Sequence, residues 1–153
     1  MTPTELKAVI DAKAQAEPEF AALRDVGDCT GMAAALSVGR TKVVSHMITE
    51  RGVMAALGVV AGEAFIEGLE AFAAATLPGG HPLEAAHPGI KRMIGWLKTD
   101  AGLDIGSTQA HALLDGLAAA GVLVSGDVAT IKALSVQADV IGWYEVAEAM
   151  KVA

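Results

Sequence analysis

The protein has 153 residues, of which 53% are apolar and 4% aromatic, and its formal net charge is −7 at pH 7. A chain of this length can bury a hydrophobic core without metals or disulfides, and its single cysteine excludes an internal disulfide. Six Lys and Arg face ten Asp and Glu in residues 1–76, and five face eight in residues 77–153. Because neither half is basic, the charge argues against broad binding to nucleic acid.

The sequence also shows no pattern for membrane insertion or secretion. Its longest apolar stretches are interrupted by Glu, Gly or Lys before they reach the roughly 20 residues of a membrane span. The opening MTPTELKAVIDAK lacks the basic region and apolar core of a signal peptide. We therefore expect no membrane partner.

The first forty residues predict three short helices. Thr2 can cap the first helix, and Glu5 stands at the capping-box spacing. Pro18 opens the second helix. Asp28 can cap the third helix, which Gly39 ends. The expected inward positions are Leu6, Val9, Ile10, Ala14, Met32, Ala35 and Leu36.

The rest of the chain predicts further helices joined by short linkers. Thr49 can cap one helix, residues 61–80 contain the longest amphipathic pattern, and Pro88 begins another helix. Ser107 and Ser125 can cap the next two, and a last helix closes the chain. The expected inward positions are Phe65, Leu69, Phe72, Ile90, Met93, Ile94, Leu97, Ala110, Leu113, Leu114, Leu117, Val128, Ile131 and Leu134.

These elements predict an all-α fold, a compact multi-helix bundle of about seven or eight short helices. No linker is long enough to separate domains, so residues 1–153 are expected to form a single helical domain. One extended segment, near residues 40–48, interrupts the helical pattern.

The extended segment lies within LSVGRTKVVSHMI, where β-branched residues cluster with two cations. Arg40 and Lys42 are two residues apart and therefore share one side of an extended chain. Because an isolated strand leaves its backbone groups unpaired, the segment must pack as a linker, form a small hairpin or pair with another chain. A phosphate contact by the two cations is a further alternative, which the acidic balance disfavours.

The histidines offer one weak candidate for a metal site. His81 and His87 flank Glu84 in HPLEAAHP, but this spacing matches no familiar zinc pattern. Two prolines in the same stretch instead predict a rigid surface loop. We expect no metal site and no cofactor.

Catalytic residue patterns are equally weak. Glu63, Glu67 and Glu70 share a helical face opposite the apolar stripe, which is typical of a solvent-facing surface. No nucleophile signature surrounds Cys29, so this cysteine is expected to pack as a small apolar residue. The sequence does not predict an enzyme.

The two helices that begin near Ser107 and Ser125 have the order of a helix-turn-helix. The second helix offers only Thr130 and Lys132 to base edges, beside Asp127. We expect a helical hairpin that packs into the core and no sequence-specific nucleic-acid partner.

Three landmarks lie between about Met32 and Met150: the turn LSVGRT, the Trp-Leu-Lys before LDIGS, and the closing helix EVAEAM. In their order and spacing the chain resembles small helical proteins encoded by tailed bacteriophages and prophages. This group has no defined activity, so no functional residue is transferred from it.

The resemblance implies a structural, non-enzymatic virion protein, assembled in the host cytoplasm: a head–tail connector, neck or tail-associated ring subunit. An acidic helical body with one extended segment suits a ring in which neighbours pair or exchange segments. We therefore expect a homo-oligomer whose partners are copies of itself and other virion proteins. The candidate subunit contacts are Arg40, Thr41, Lys42, Val43, Val44, Trp143 and Tyr144.

The alternative function is a small phage-encoded adaptor or regulatory protein that binds one host protein. Its contacts would be an exposed Trp143, Tyr144 or Trp96. Taken singly, each of these aromatic side chains is expected to pack in the core instead.

Overall fold

The computed structural model describes residues 1–152, which contain nine α-helices of 8 to 16 residues. The helices span Pro3–Ala16 (α1), Pro18–Asp25 (α2), Cys29–Ser37 (α3), Glu50–Leu57 (α4), Val59–Ala74 (α5), His87–Leu97 (α6), Thr108–Ala119 (α7), Ser125–Ala133 (α8) and Trp143–Met150 (α9). No helix in this part of the chain is both long and apolar enough to cross a membrane.

Four short strands accompany the helices: Thr41–Val43 (β1), Met47–Ile48 (β2), Leu103–Asp104 (β3) and Val136–Ala138 (β4). β1 pairs with β4, and β2 pairs with β3. The second pair is antiparallel, with Met47 opposite Asp104 and Ile48 opposite Leu103. The fold is therefore predominantly helical, as predicted, but the prediction of a purely all-α fold is wrong. The helices within residues 1–152 also slightly outnumber the predicted seven or eight.

The helix starts follow the predicted capping residues with one exception. The side chains of Thr2, Asp28, Thr49 and Ser107 each accept a hydrogen bond from a backbone N–H in the first turn of the helix that follows. The prediction of Ser125 as a cap is wrong, because Ser125 is already the first residue of α8 and Val124 precedes it without a side-chain cap.

The chain divides into two compact units. Unit 1 comprises residues 1–42 and the described residues from Gln137 onward, and unit 2 comprises Val43–Val136. Each unit has its own cluster of buried apolar side chains. The expectation of a single domain over residues 1–153 stays a prediction.

The core of unit 1 lies where α1, α2, α3 and α9 pack together. Ile10, Met32 and Val146 are fully buried there. On α1 the buried line runs through Leu6, Ile10 and Ala14, whose spacing of four residues keeps them on one face. The prediction that Val9 points inward is wrong, because Val9 lies beside this line and is exposed.

The core of unit 2 is centred on α5, which packs against α4 and α6. The three predicted positions on α5, Phe65, Leu69 and Phe72, are buried. A Cβ at Gly62 would lie 2.7 Å from the Met54 Cα, so this glycine allows α4 and α5 to approach closely. The remaining predicted core positions that are buried are Ile90, Leu97, Leu114, Leu117, Val128 and Ile131.

Leu134 is the exception among the predicted core positions of unit 2. It follows the last residue of α8 and is exposed, so the prediction that it points inward is wrong. Ser135, the next residue, is fully buried instead. The chain leaves its helical path at this point, and the helical spacing no longer decides which side chain is buried.

Candidate functional site

The predicted contact segment forms β1 and pairs with a distant part of the same chain. Thr41–Val43 lies beside β4, an arrangement that the sequence alternatives of linker, small hairpin and intermolecular strand did not include. The three side chains of β1 and the three of β4 are exposed. A contact of this segment with another subunit stays a prediction.

The two cations of the segment face a carboxylate of their own unit. The Arg40 Nη2 lies 2.6 Å from the Asp139 Oδ2, and the Lys42 Nζ lies 4.0 Å from the Asp139 Oδ1. The hydrogen bond from Arg40 is the main reason that the pKa of Asp139 lies below its usual value. Because this carboxylate already engages both cations, the arrangement gives no support to a phosphate contact by Arg40 and Lys42.

The other two candidate contacts, Trp143 and Tyr144, are the first residues of α9 and lie at its surface. Their side chains are 62% and 60% exposed, and their rings meet edge to face with centroids 6.5 Å apart. The Tyr144 ring covers Gly142 so closely that a Cβ at that position would overlap it. Gly142 donates its N–H to the Glu145 carboxylate across 2.7 Å, which fixes the start of α9 beneath the pair. We call Trp143 and Tyr144 the aromatic pair.

The expectation that each of these aromatics packs in a core is wrong. Trp96, on α6 in unit 2, is also 55% exposed. The three phenylalanines of the chain are buried, so the aromatic side chains that reach the surface are those with a polar N–H or O–H. Trp and Tyr at a surface favour binding to another macromolecule, since they bury a large area and retain a hydrogen-bonding group.

Beside the aromatic pair, unit 1 contains a groove of about 190 Å³. We call it the α1–α9 groove. It is lined by Met1, Pro3, Leu6, Tyr144, Glu145 and Glu148. Apolar and aromatic surface thus lies next to two carboxylates, and no Lys or Arg lines the groove within the described residues.

The predicted histidine loop follows α5 and packs onto Phe72. The His87 Nε2 lies 2.9 Å from the Phe72 carbonyl oxygen, and the His81 Nδ1 accepts the N–H of Leu83 across 3.1 Å. Both imidazole rings contact the Phe72 ring, with centroids 5.4 and 5.9 Å away. In residues 1–152 no group of three or more His, Cys, Asp or Glu side chains is placed to hold a metal.

In unit 2, Ser135 contacts His111, which the sequence did not predict. The Ser135 Oγ lies within hydrogen-bonding distance of two groups, the Lys132 carbonyl oxygen at 2.9 Å and the His111 Nε2 at 2.8 Å. Ser135 and His111 lie 24 positions apart with no local motif that could have revealed them. Ser135 is 0% exposed, and the Lys132 carbonyl oxygen lies about as close to its hydroxyl as the imidazole does. The geometry therefore suits a structural hydrogen bond that satisfies buried polar groups better than it suits nucleophilic attack by the serine.

The remaining candidates have similarly local roles. Glu63 and Glu67 are exposed, and Glu70 pairs with Lys98. Cys29 is partly buried against the core of unit 1, as predicted. A largely enclosed cavity in unit 2 has about 20 Å³ of space for water and is lined by apolar side chains alone. It is too small for an organic ligand.

No protein-family model, curated protein or solved structure matches this chain.

Proposed function

We propose that the protein is a structural, non-enzymatic component of a tailed phage particle: a head–tail connector, neck or tail-associated ring subunit. The observation that carries this proposal is the exposed aromatic pair beside the α1–α9 groove. Exposed Trp and Tyr side chains in one small area are typical of the centre of a protein interface. The sequence landmarks shared with small helical phage proteins supply the biological context.

Composition of purified particles tests this function. Particles would be induced from a host that carries the gene, purified, and analysed by quantitative mass spectrometry. We expect the wild-type protein in several copies per particle and a large loss of incorporation for the Trp143→Ala/Tyr144→Ala variant. Val26→Ala, at an exposed valine of unit 1, is the matched control and should be incorporated normally. Absence of the wild-type protein from the particles would overturn the proposal.

A second candidate function is favoured by Trp96. This side chain is exposed on α6 in unit 2, and so provides an aromatic contact that does not belong to the aromatic pair. It suits a small adaptor that binds one host protein. Saturable binding of a purified host protein, lost in Trp96→Ala and kept in Trp143→Ala, would support the adaptor function over the virion function.

A further inference from the structure

The positive charges of the protein are distributed unevenly. Of its eleven Lys and Arg, eight lie within 4.0 Å of a carboxylate in the described residues. The three that do not are Arg51, Lys91 and Arg92, all in unit 2. Lys91 and Arg92 are neighbours on α6 and are both exposed.

The helix α6, which carries these two cations, has a positive formal charge although the protein as a whole is acidic. α6 contains Lys91 and Arg92 but no Asp or Glu, in a chain whose net charge is −7. Arg92 and Trp96 are four residues apart and therefore share one side of the helix. Gly95 is exposed beside them, with no atom near the position of a Cβ, so the backbone is open to close approach. We call Lys91, Arg92, Gly95 and Trp96 the α6 basic face.

The α1–α9 groove has the complementary chemistry. It presents an apolar floor, the Tyr144 ring and two carboxylates, Glu145 and Glu148. Glu148 also pairs with Lys151, but both side chains are more than half exposed. An exposed ion pair of this kind contributes little and can exchange partners.

We propose that the α6 basic face of one copy docks into the α1–α9 groove of a second copy. Trp96 lies against the apolar floor and the Tyr144 ring, and the two cations of α6 meet Glu145 and Glu148. This inference rests on the proposed function as an assembling subunit, and it adds which surfaces join.

The charges also determine the symmetry of this contact. Two α1–α9 grooves facing each other across a two-fold axis would bring their carboxylates together, and two α6 basic faces would bring their cations together. Like charges at close range repel, so neither isologous pairing is favoured. A head-to-tail contact pairs opposite charges and leaves one free surface at each end, from which further copies can add.

Sedimentation velocity and light scattering on the full chain test the inference. The wild-type protein should associate with increasing concentration, and added salt should weaken the association because exposed charges are screened. Lys91→Glu/Arg92→Glu and Glu148→Arg should each weaken self-association by roughly tenfold or more. Glu67→Arg, at an exposed carboxylate of α5, is the matched control for charge reversal and should associate like the wild type.

Mixing the two variants gives the sharper test. The acidic α6 face of one variant meets the positive charge that Glu148→Arg introduces into the groove of the other. Each variant also keeps one wild-type surface, which can pair with the wild-type surface of its partner. A mixture of two weakly associating variants should therefore regain association, which a merely misfolded variant cannot do. Circular dichroism of each variant alone verifies that its helices are formed.

The outcomes separate this inference from the proposed function. A wild-type chain that stays monomeric, a wild-type oligomer unaffected by either charge reversal, or a mixture that does not regain association overturns the α6–groove contact. Incorporation into particles is measured independently, so the virion role survives a failure of this contact if the protein is still found in them.

Discussion

The guanidinium of Arg40 donates a hydrogen bond to the carboxylate of Asp139 across 2.6 Å, and the Asp139 N–H donates to the Arg40 carbonyl across 3.0 Å. These two residues, 99 positions apart, lie just outside the paired strands β1 and β4. A charged and a backbone hydrogen bond between the same residues hold the two chain segments of unit 1 together at this point.

Asp139→Asn should lower the denaturant midpoint at neutral pH and reduce the acid sensitivity of the protein. The folded pKa of Asp139 lies below its usual value, chiefly because of the hydrogen bond from Arg40. The stabilisation is therefore fully present above the usual aspartate pKa and is lost as the pH falls through the lower folded value. Denaturant unfolding across a pH series measures this. Asp25→Asn, at an exposed pair of sequence neighbours, serves as the control, and equal acid profiles for Asp139→Asn and wild type would contradict the prediction.

We expect the Asp104 carboxylate to hold the segment before β2 against the loop after β3 through hydrogen bonds. This carboxylate accepts hydrogen bonds from the Ser45 hydroxyl at 2.9 Å, the His46 N–H at 2.9 Å and the Gly106 N–H at 2.7 Å. These bonds, the one from Gly106 foremost, lower the pKa of Asp104, so its stabilisation too is lost as the pH falls below the usual aspartate range.

Substitution of Asp104 should therefore speed local opening in a graded way. Hydrogen exchange at the His46 and Gly106 amides should be faster in Asp104→Asn than in the wild type, and fastest in Asp104→Ala, which has no acceptor left. Asp100→Asn, at an exposed carboxylate in the same unit, should leave both amides unchanged. Equal exchange in all four proteins would rule out this role.

Ser135→Ala should cost about 1–3 kcal/mol of unfolding free energy, because it leaves the partly buried Nε2 of His111 without its partner. The serine is fully buried, so water cannot replace the lost contact. Denaturant unfolding followed by circular dichroism gives the value. Thr130→Ala removes an exposed hydroxyl of α8 and should stay within about 0.5 kcal/mol of the wild type. Comparable losses for the two variants would show that the buried contact contributes little.

Gly106→Ala should be among the most damaging small substitutions in unit 2. A Cβ at Gly106 would overlap the Val44 carbonyl and the Ser45 Cα, which are backbone atoms that cannot rotate away. We expect a loss of about 1–3 kcal/mol or more from this overpacking. Gly126→Ala, at a helical glycine with open space, should instead be neutral or gain up to about 1 kcal/mol. Thermal unfolding of the two variants compares them directly, and a harmless Gly106→Ala would mean that the two segments lie farther apart than described.

Local sequence patterns predicted the helices and most of the positions that they bury. Helix caps act over three residues, as at Asp28 and Ser107, and buried positions recur every four residues, as at Leu6, Ile10 and Ala14. Both patterns can therefore be recognised from a short stretch of sequence. Two predictions were wrong at the ends of α8, at Ser125 and Leu134, where the neighbouring turn decides which residue begins or leaves the helix. A third, Val9, was wrong because it lies beside the buried line of α1.

Contacts between distant residues, and the exposure of the aromatic side chains, depend on the fold as a whole. β1 pairs with β4, and His111 meets Ser135, through contacts that no local spacing encodes. Trp96, Trp143 and Tyr144 were expected in the core but are exposed, because other apolar side chains form the core of each unit. Local sequence sets backbone propensity within a turn, whereas burial and strand pairing depend on the closure of the whole chain.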